Sequence, residues 1–441
     1  MANVPLPRQS GASGFLRAIR RRHAVALYVS SVLGSGILVL PGLVARIAGP
    51  ASLLAWGLLA LASVPFALTF AGLSARRPEA GGIYGFAKEA FGLRAALVTG
   101  WLFALLQLVG LPAIALIAAA YLGFAFPIGR LASFVLGFGI IASAFGLNYR
   151  GIVVSTRVQL GTIIAIVGLL LVTIVAAGSR LSVTNFTPFF PYGVLPVGVA
   201  GALIFWSFLG YENVSNVAEE FEDPAQDFPA SVYASVALVG LLYVLVAFVT
   251  VGTGAYRVGN GVAPAATILG YVFGPYGAAV AALLAAAIVF AVVNAYTTGL
   301  ARVTFATARD GGLPRYLARV DPVTHSPNRA LVVLFCGASA VMSLYYLTGV
   351  DLETALLVAS GVAIVLYMIG SAAGVRLGVP VGRSGVASRR LPAVSLAISL
   401  VVFPFLGWPA VVALAATATA GVFACILPRD EDGIRRARQS P

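Results

Sequence analysis

Apolar runs of membrane-crossing length, each stopped by a few arginines, glycines or prolines, set the rhythm of this 441-residue chain. Divided at charges and Gly/Pro clusters, with about 17–25 residues allowed per crossing, the chain yields twelve apolar segments. They run approximately 24–48, 52–75, 95–124, 130–147, 156–178, 195–217, 230–254, 275–305, 330–347, 353–374, 391–406 and 408–427. Only Gly407, Trp408 and Pro409 separate the last two. The pattern predicts an all-α membrane protein of twelve transmembrane helices, and an even number of crossings puts both termini on one side.

Two segments break their own pattern. The first reads VLGSGILVLPG, with Gly34-Ser35-Gly36 near its middle; the sixth reads FWSFLGYEN, with Gly210 and Glu212 inside the run. A glycine in a helix interior costs roughly 1 kcal/mol relative to alanine, and interrupted helices are tolerated in a membrane only against protein or a wet cavity. The two segments open two sets of five, spans 1–5 and 6–10. Paired interruptions at matching positions of two halves point to a transporter's midplane binding site. An unwound turn frees amide N–H groups at the start of the second half-helix, which suit a carboxylate. It also frees carbonyls at the end of the first half-helix, which suit an ammonium group. A zwitterionic amino acid fits both at once. The alternative for Gly34-Ser35-Gly36 is a small-residue contact that lets two helices approach closely.

Glu212 is the one carboxylate placed well inside a span. A central ionisable side chain costs at least about 2.5–3.5 kcal/mol on insertion scales, which marks it as functional; the alternative is a protonated, hydrogen-bonded glutamate at a helix break. Gln107, with Gly110 and Pro112 following it in the third span, is the other mid-membrane polar feature. A helix–helix hydrogen bond explains it equally well. The remaining Tyr, Trp and Phe residues read mostly as lipid-facing or interfacial packing.

Composition agrees with the pattern: 60% of residues are hydrophobic and 10% charged, against about 25% charged in soluble domains. The net charge of +13 does not mark a nucleic-acid binder, because the basic residues punctuate apolar runs and are not clustered with stacking aromatics. Instead, 24 of the 28 Lys and Arg residues fall on one side of the alternate loops. The exceptions are Arg46, Arg130, Arg180 and Arg257. This asymmetry predicts a multi-pass protein of the plasma (inner) membrane with both termini cytoplasmic. Residues 1–22 are polar and Arg-rich without the apolar core of a signal peptide, and read as a cytoplasmic tail. Cys336 and Cys425 lie in apolar stretches, which predicts packing and no disulfide framework. His23 and His325 are far apart, and no metal-ligand spacing, phosphate loop or nucleophile motif is present, so an enzyme is not expected.

Four blocks resemble the amino acid–polyamine–organocation (APC) transporters: GSGILVLPG at 34–42, RPEAGGIYGFAKEAFG at 77–92, FWSFLGYENVSNVAEEFEDPAQDFP at 205–229 and ARDGGLPRYLARV at 308–320. Within that family the stretch VTGWLFALLQLVGLPA at 98–113 is similar to bacterial exporters of methionine and branched-chain amino acids. The resemblance implies a 5+5 inverted repeat, the LeuT-like fold, with broken helices 1 and 6. It further implies that the amides around Gly34, Ser35 and Gly36, with the Ser35 hydroxyl, receive the substrate carboxylate. The carbonyls of Val32 and Leu209, with Phe205 and Trp206, would hold the ammonium, and Trp206 matches an aromatic that gates or stacks on substrate in relatives. Gln107, Leu111 and Tyr296 would line the side-chain pocket.

The chain departs from some proton-coupled relatives in having no lysine in the fifth span; Lys88 is its only lysine. Glu212 is then the titrating candidate if protons are coupled, while Thr297 and Thr298 offer oxygens to Na⁺ or serve packing. No acid other than Glu212 is available for a second amine, which argues against polyamines and cationic amino acids. The resulting expectation is a secondary transporter of neutral, apolar amino acids working by alternating access, an exporter or exchanger, with a proton-coupled importer as the runner-up. Its partners are the lipid bilayer, an amino acid and H⁺ or Na⁺, with no cofactor and no metal. The expected division is a tail over 1–22, five-helix repeats over 23–178 and 179–374, helices 11 and 12 over 375–427, and a tail over 428–441.

Overall fold

The chain leaves helical geometry at Leu33 and Gly34 and re-enters it at Gly36 in the computed structural model, which describes residues 29, 32–76, 82–151, 156–211, 224–324, 326–380 and 387–426. Helix α1 (Gly36–Ala48) then runs through Pro41 without stopping. Gly42 marks a close approach and not a second break, since a Cβ there would lie 1.9 Å from the Gly261 carbonyl oxygen. A 3-10 turn over Gly49–Ala51 leads into α2 (Ser52–Arg76).

The block at 77–92, read from sequence as a loop, contains a helix, α3 (Gly82–Phe91), whose Ile83, Tyr84, Phe86 and Ala90 are buried. Three long helices follow: α4 (Leu93–Ala125), α5 (Arg130–Tyr149) and α6 (Thr156–Ala177). The sixth expected span is helical only as α7 (Leu195–Ile204). It tightens into a 3-10 turn over Phe205–Phe208 and becomes extended at Leu209. Helices α8 (Pro224–Gly252) and α9 (Pro264–Arg309) come next, the latter broken at Gly274 so that an extra segment precedes the expected eighth span. Then come α10 (Asn328–Thr348), α11 (Leu352–Leu377), α12 (Arg390–Val402) and α13 (Trp408–Ile426). Two-residue strands, β1 (Val379–Pro380) and β2 (Ala387–Ser388), pair antiparallel between α11 and α12.

Among the described residues, nine helical stretches are long and apolar enough to cross a membrane, with Leu195–Phe208 and Arg390–Leu406 as shorter apolar helices. The α1–α2 stretch is one of the nine because only the 3-10 turn divides it. The architecture is all-helical and multi-span, apart from the short strand pair. Taken singly, α1, α7 and α12 fall short of the roughly 20 residues of a full crossing.

Helices α1, α2, α7 and α8 pack on one another, and α4, α5, α6 and α9 form a second group in which α4 and α9 make the most extensive contact. Helix α11 bridges them, touching α4 on one side and α2 and α7 on the other. Both Cys336 and Cys425 are free and exposed on the helix bundle, so they do not serve the interior packing expected of them. Glu212, His23 and His325 lie outside the described residues.

Candidate functional site

The first break exposes helix donors. The Leu33 N–H still donates to the Val29 carbonyl at 2.8 Å, and the Gly34 N–H turns back onto the Val32 carbonyl at 2.6 Å. From Ser35 onward the amides belong to the first turn of α1, where a helix has no carbonyl of its own to offer and its positive dipole end lies. Ser35 is the N-cap residue, yet its side chain makes no capping bond. Its hydroxyl is buried and has no hydrogen-bond partner among the described residues.

The second break sits directly against this turn. A Cβ on Gly36 would lie 2.5 Å from Ser207 Oγ and 3.1 Å from Trp206 Cδ1, so only glycine fits between α1 and the 3-10 turn that follows α7. Gly36 thus serves both readings raised by the sequence, a close contact and a helix start. Ser207 Oγ is, like Ser35 Oγ, buried without a partner. The Trp206 indole extends from Gly36 across to α4, where a Cβ on Gly110 would come within 2.9 Å of its Cη2. Two glycines on different helices therefore form the two sides of the slot that holds the indole. Gly210, which ends the second break, has φ +124°.

Aromatic side chains tie the breaks together from behind. The Tyr243 hydroxyl of α8 lies 2.7 Å from the Val32 carbonyl and 3.0 Å from the Ser207 carbonyl. A phenol has one proton, so it serves one carbonyl from each break in alternation. Trp56 of α2 packs edge-on against Tyr243, with ring centroids 5.5 Å apart, and also contacts Phe208. The ring of Phe205 is buried between Phe66 of α2 and Tyr367 of α11, at 5.5 and 5.3 Å. The Tyr367 hydroxyl reaches the Phe208 carbonyl at 3.5 Å. The Tyr121 hydroxyl of α4 donates to the Leu38 carbonyl inside α1.

The structure brings together Val32, Gly34, Ser35, Gly36, Phe205, Trp206 and Leu209, the residues expected at the two breaks. The Val32 carbonyl already accepts two hydrogen bonds, from Gly34 and Tyr243. Gln107 lies one turn before Gly110 on α4 and is 5% exposed. Leu111 is fully buried beside it. Tyr296 on α9 lies within electrostatic reach of Tyr243. The hydroxyls of Thr297 and Thr298 donate to Val293 and to Asn148 and Asn294, within α9 and across to α5, as packing residues do. Among the described residues no group of three His, Cys, Asp or Glu could hold a metal.

Sequence reasoning missed Tyr243, Ser207 and Gly110. Tyr243 sits in an uninterrupted apolar run and read as packing, and Gly110 was noted only as a neighbour of Gln107. The usable signal for Ser207 was its place in FWSFLG, between Trp206 and the break.

A polar cluster lies at the far end of α9. Asp310 accepts from Lys88 Nζ at 2.6 Å and from the Tyr84 hydroxyl at 2.8 Å, both on α3, and Arg309 lies 3.5 Å away. Burial pushes the Asp310 carboxyl up. The hydrogen bonds of Lys88 and Tyr84 and the charges of Lys88 and Arg309 outweigh it and hold the carboxyl below its ordinary value.

Residues 21–430 match the amino acid permease family. The chain is 32% identical over 403 residues to the amino acid permease YecA of Bacillus subtilis, across 90% of this chain and 94% of that one. It is 32% identical over 373 residues to the L-methionine/branched-chain amino acid exporter YjeH of Escherichia coli, across 83% and 87%. The branched-chain amino acid permease BcaP of Bacillus subtilis is 29% identical over 337 residues, across 72% of each chain.

Proposed function

The chain belongs to the amino acid permease family, and from that premise we propose that it exports or exchanges neutral, apolar amino acids across the plasma membrane by alternating access. It is a multi-pass membrane transporter and not an enzyme. The reading of twelve crossings, a 5+5 inverted repeat and cytoplasmic termini belongs to this proposal. It is supported by the helix order, the two breaks and the one-sided arginines. The relative named as an exporter of methionine and branched-chain amino acids supports the substrate class and direction.

The observation that carries the proposal is the meeting of the two breaks at Gly36, with two buried, unpartnered hydroxyls beside it. Buried polar groups are ordinarily hydrogen-bonded, so Ser35 and Ser207 await an acceptor or donor that the described residues do not supply. A substrate carboxylate on the Ser35 and Gly36 amides and the Ser35 hydroxyl satisfies one. The Gly34 amide, already bonded to Val32, is the weakest donor of the expected three. The ammonium faces the carbonyl side of the second break, at Leu209 and Trp206. It also meets the Val32 carbonyl of the first break, where it competes with Tyr243. Gln107, Leu111 and Tyr296 line the side-chain pocket, and the absence of a second acid among them favours apolar substrates. Alternating access would then move α1, α2, α7 and α8 against the α4, α5, α6 and α9 group. Glu212 is the proposed proton-coupling residue, with Na⁺ the less favoured ion because Thr297 and Thr298 are engaged in helix packing.

The test is a thermal-shift screen of the purified full chain against the twenty amino acids, followed by counterflow in proteoliposomes. Stabilisation by methionine, leucine, isoleucine or valine with trans-stimulated uptake is the expected result. Stabilisation only by lysine, arginine or polyamines would overturn the substrate class, and uptake without trans-stimulation would favour a channel.

A further inference from the structure

We propose that the half-open cavity between α4, α9, α10 and α13 is a binding site for one acyl chain of an anionic phospholipid, whose phosphate is held by the arginines at its mouth. The cavity has a volume of about 380 Å³ and is lined by Trp101, Leu105, Leu108, Thr304, Leu334 and Phe423, among other apolar residues. That size lies within the roughly 300–1,000 Å³ of ligand sites. None of its lining residues is charged and none belongs to either helix break, so it does not suit a zwitterion and is separate from the site described above.

Its one unusual wall residue is Thr304. Threonines in helices commonly bond the carbonyl four residues back, and on α9 Thr267, Thr297, Thr298 and Thr307 all do so. Thr304 alone among the five does not, and its hydroxyl is buried without a partner among the described residues. It stands five residues before the end of α9, about 7.5 Å along the axis at 1.5 Å per residue. The donor therefore lies a short step inside the helix end, where the ester carbonyl of a phospholipid would accept from it. Beyond it the walls are leucines. The rim is fixed by Trp101, whose indole N–H donates to the Gly312 carbonyl at 3.0 Å and whose ring stacks on Phe423 at 5.9 Å.

Charge supplies the headgroup. Leu313 and Leu317 line the cavity, and Arg319 follows them; Arg329 lies one turn before the lining residue Val333, and Arg94 two turns before Trp101. These three arginines are exposed and have no carboxylate partner among the described residues. Basic side chains at such a level attract anionic headgroups. The site thus presents, in order, cations, one hydroxyl donor and an apolar slot, the order of phosphate, ester and chain in a phospholipid. On the proposed orientation this is the cytoplasmic leaflet, though lipid binding at this end does not depend on what the permease carries.

The test uses the full chain in proteoliposomes containing phospholipids brominated on the acyl chain, read by tryptophan fluorescence. Comparison with Trp101→Phe isolates the Trp101 signal. Trp101 quenching should half-saturate at a roughly tenfold lower fraction of brominated phosphatidylglycerol than of brominated phosphatidylcholine. The paired change Arg94→Gln and Arg329→Gln should bring the two lipids together, and Ala104→Leu with Ala420→Leu, which fills the slot, should abolish saturable quenching. Equal quenching by the two lipids in the unaltered protein overturns the headgroup assignment. Saturable quenching that survives the filled slot overturns the acyl-chain assignment. The arginine pair leaves the walls intact, and it decides the matter should the filled variant fail to insert.

Discussion

The break before α1 and the break after α7 lie in contact, yet they present opposite ends of a helix. At the first, the chain re-enters helix abruptly at Gly36; in its first turn the Leu38 N–H turns back onto the Ser35 carbonyl at 3.2 Å, and the Ser35 hydroxyl has no partner among the described residues. At the second, α7 unwinds gradually through a 3-10 turn, and tyrosines from neighbouring helices reach its freed carbonyls, Tyr243 at Ser207 and Tyr367 at Phe208. The donor side is left open and the acceptor side is partly covered. This difference suggests that the carboxylate meets ready-made partners, whereas the ammonium must displace or share existing ones.

Gly36→Val tests the contact most severely. Its side chain would overlap Ser207 Oγ and Trp206, and amino acid binding in a thermal-shift assay should be lost entirely. Retained binding would show that the two breaks need not touch. Tyr243→Phe removes the one hydroxyl shared between them, leaving buried carbonyls less satisfied. A loss of about 1–3 kcal/mol of stability is expected, read as a lowered melting temperature, together with altered substrate affinity. If affinity rises while stability falls, Tyr243 competes with the ammonium; if both are unchanged, the clamp is idle.

Ser35→Ala separates binding from folding most sharply. Its hydroxyl has no partner among the described residues, so the melting temperature of the free protein should hold while affinity falls roughly tenfold or more, as for a lost hydrogen bond to a charged group. A drop in stability without a change in affinity would reassign the hydroxyl to folding.

The smallest effect is expected far from both breaks, at Lys88→Met. The Asp310 carboxyl is held low, so its contribution to stability is present above the ordinary carboxylate range near about 3.9 and disappears as pH falls through the lowered folded value. Lys88 is 48% exposed, which limits the pair to less than about 1 kcal/mol. The variant should lose that increment already at neutral pH, seen in melting curves taken from pH 7 downward, with binding unaltered.

Element positions were legible where apolar runs end in charges. Helices α2, α4 and α10 to α13 begin and end within a few residues of the expected segments, because an arginine, a glycine, a proline or an aspartate lies at or next to the ends of each run. The expected breaks were legible for a related reason, since Gly34, Gly36 and Gly210 are costly in an intact helix. Helix α3 was not, as ten residues with a lysine and a glutamate carry no membrane signal; it forms because Tyr84 and Phe86 are buried. Tyr243 was hidden because an aromatic in LLYVLVAF has the same appearance whether it faces lipid or two open carbonyls. Its role depends on helices more than 30 residues away in sequence, as its bond to Ser207 at a separation of 36 shows.

Helix α9 has a consequence in sheer length. After the break at Gly274 roughly 35 residues remain, about 52 Å at 1.5 Å per residue, against about 40–45 Å for a whole bilayer with its headgroups. A tilt of about 20°, average for a membrane helix, shortens the span only to about 49 Å. The helix therefore outruns the bilayer by several ångströms, and at its Asp310 end α3 grips it through Lys88 and Tyr84. A tie near its middle, among Asn294, Asn148 and Thr298, and a second at its tip hold α9 at two points roughly 24 Å apart along its axis, as two brackets hold a beam.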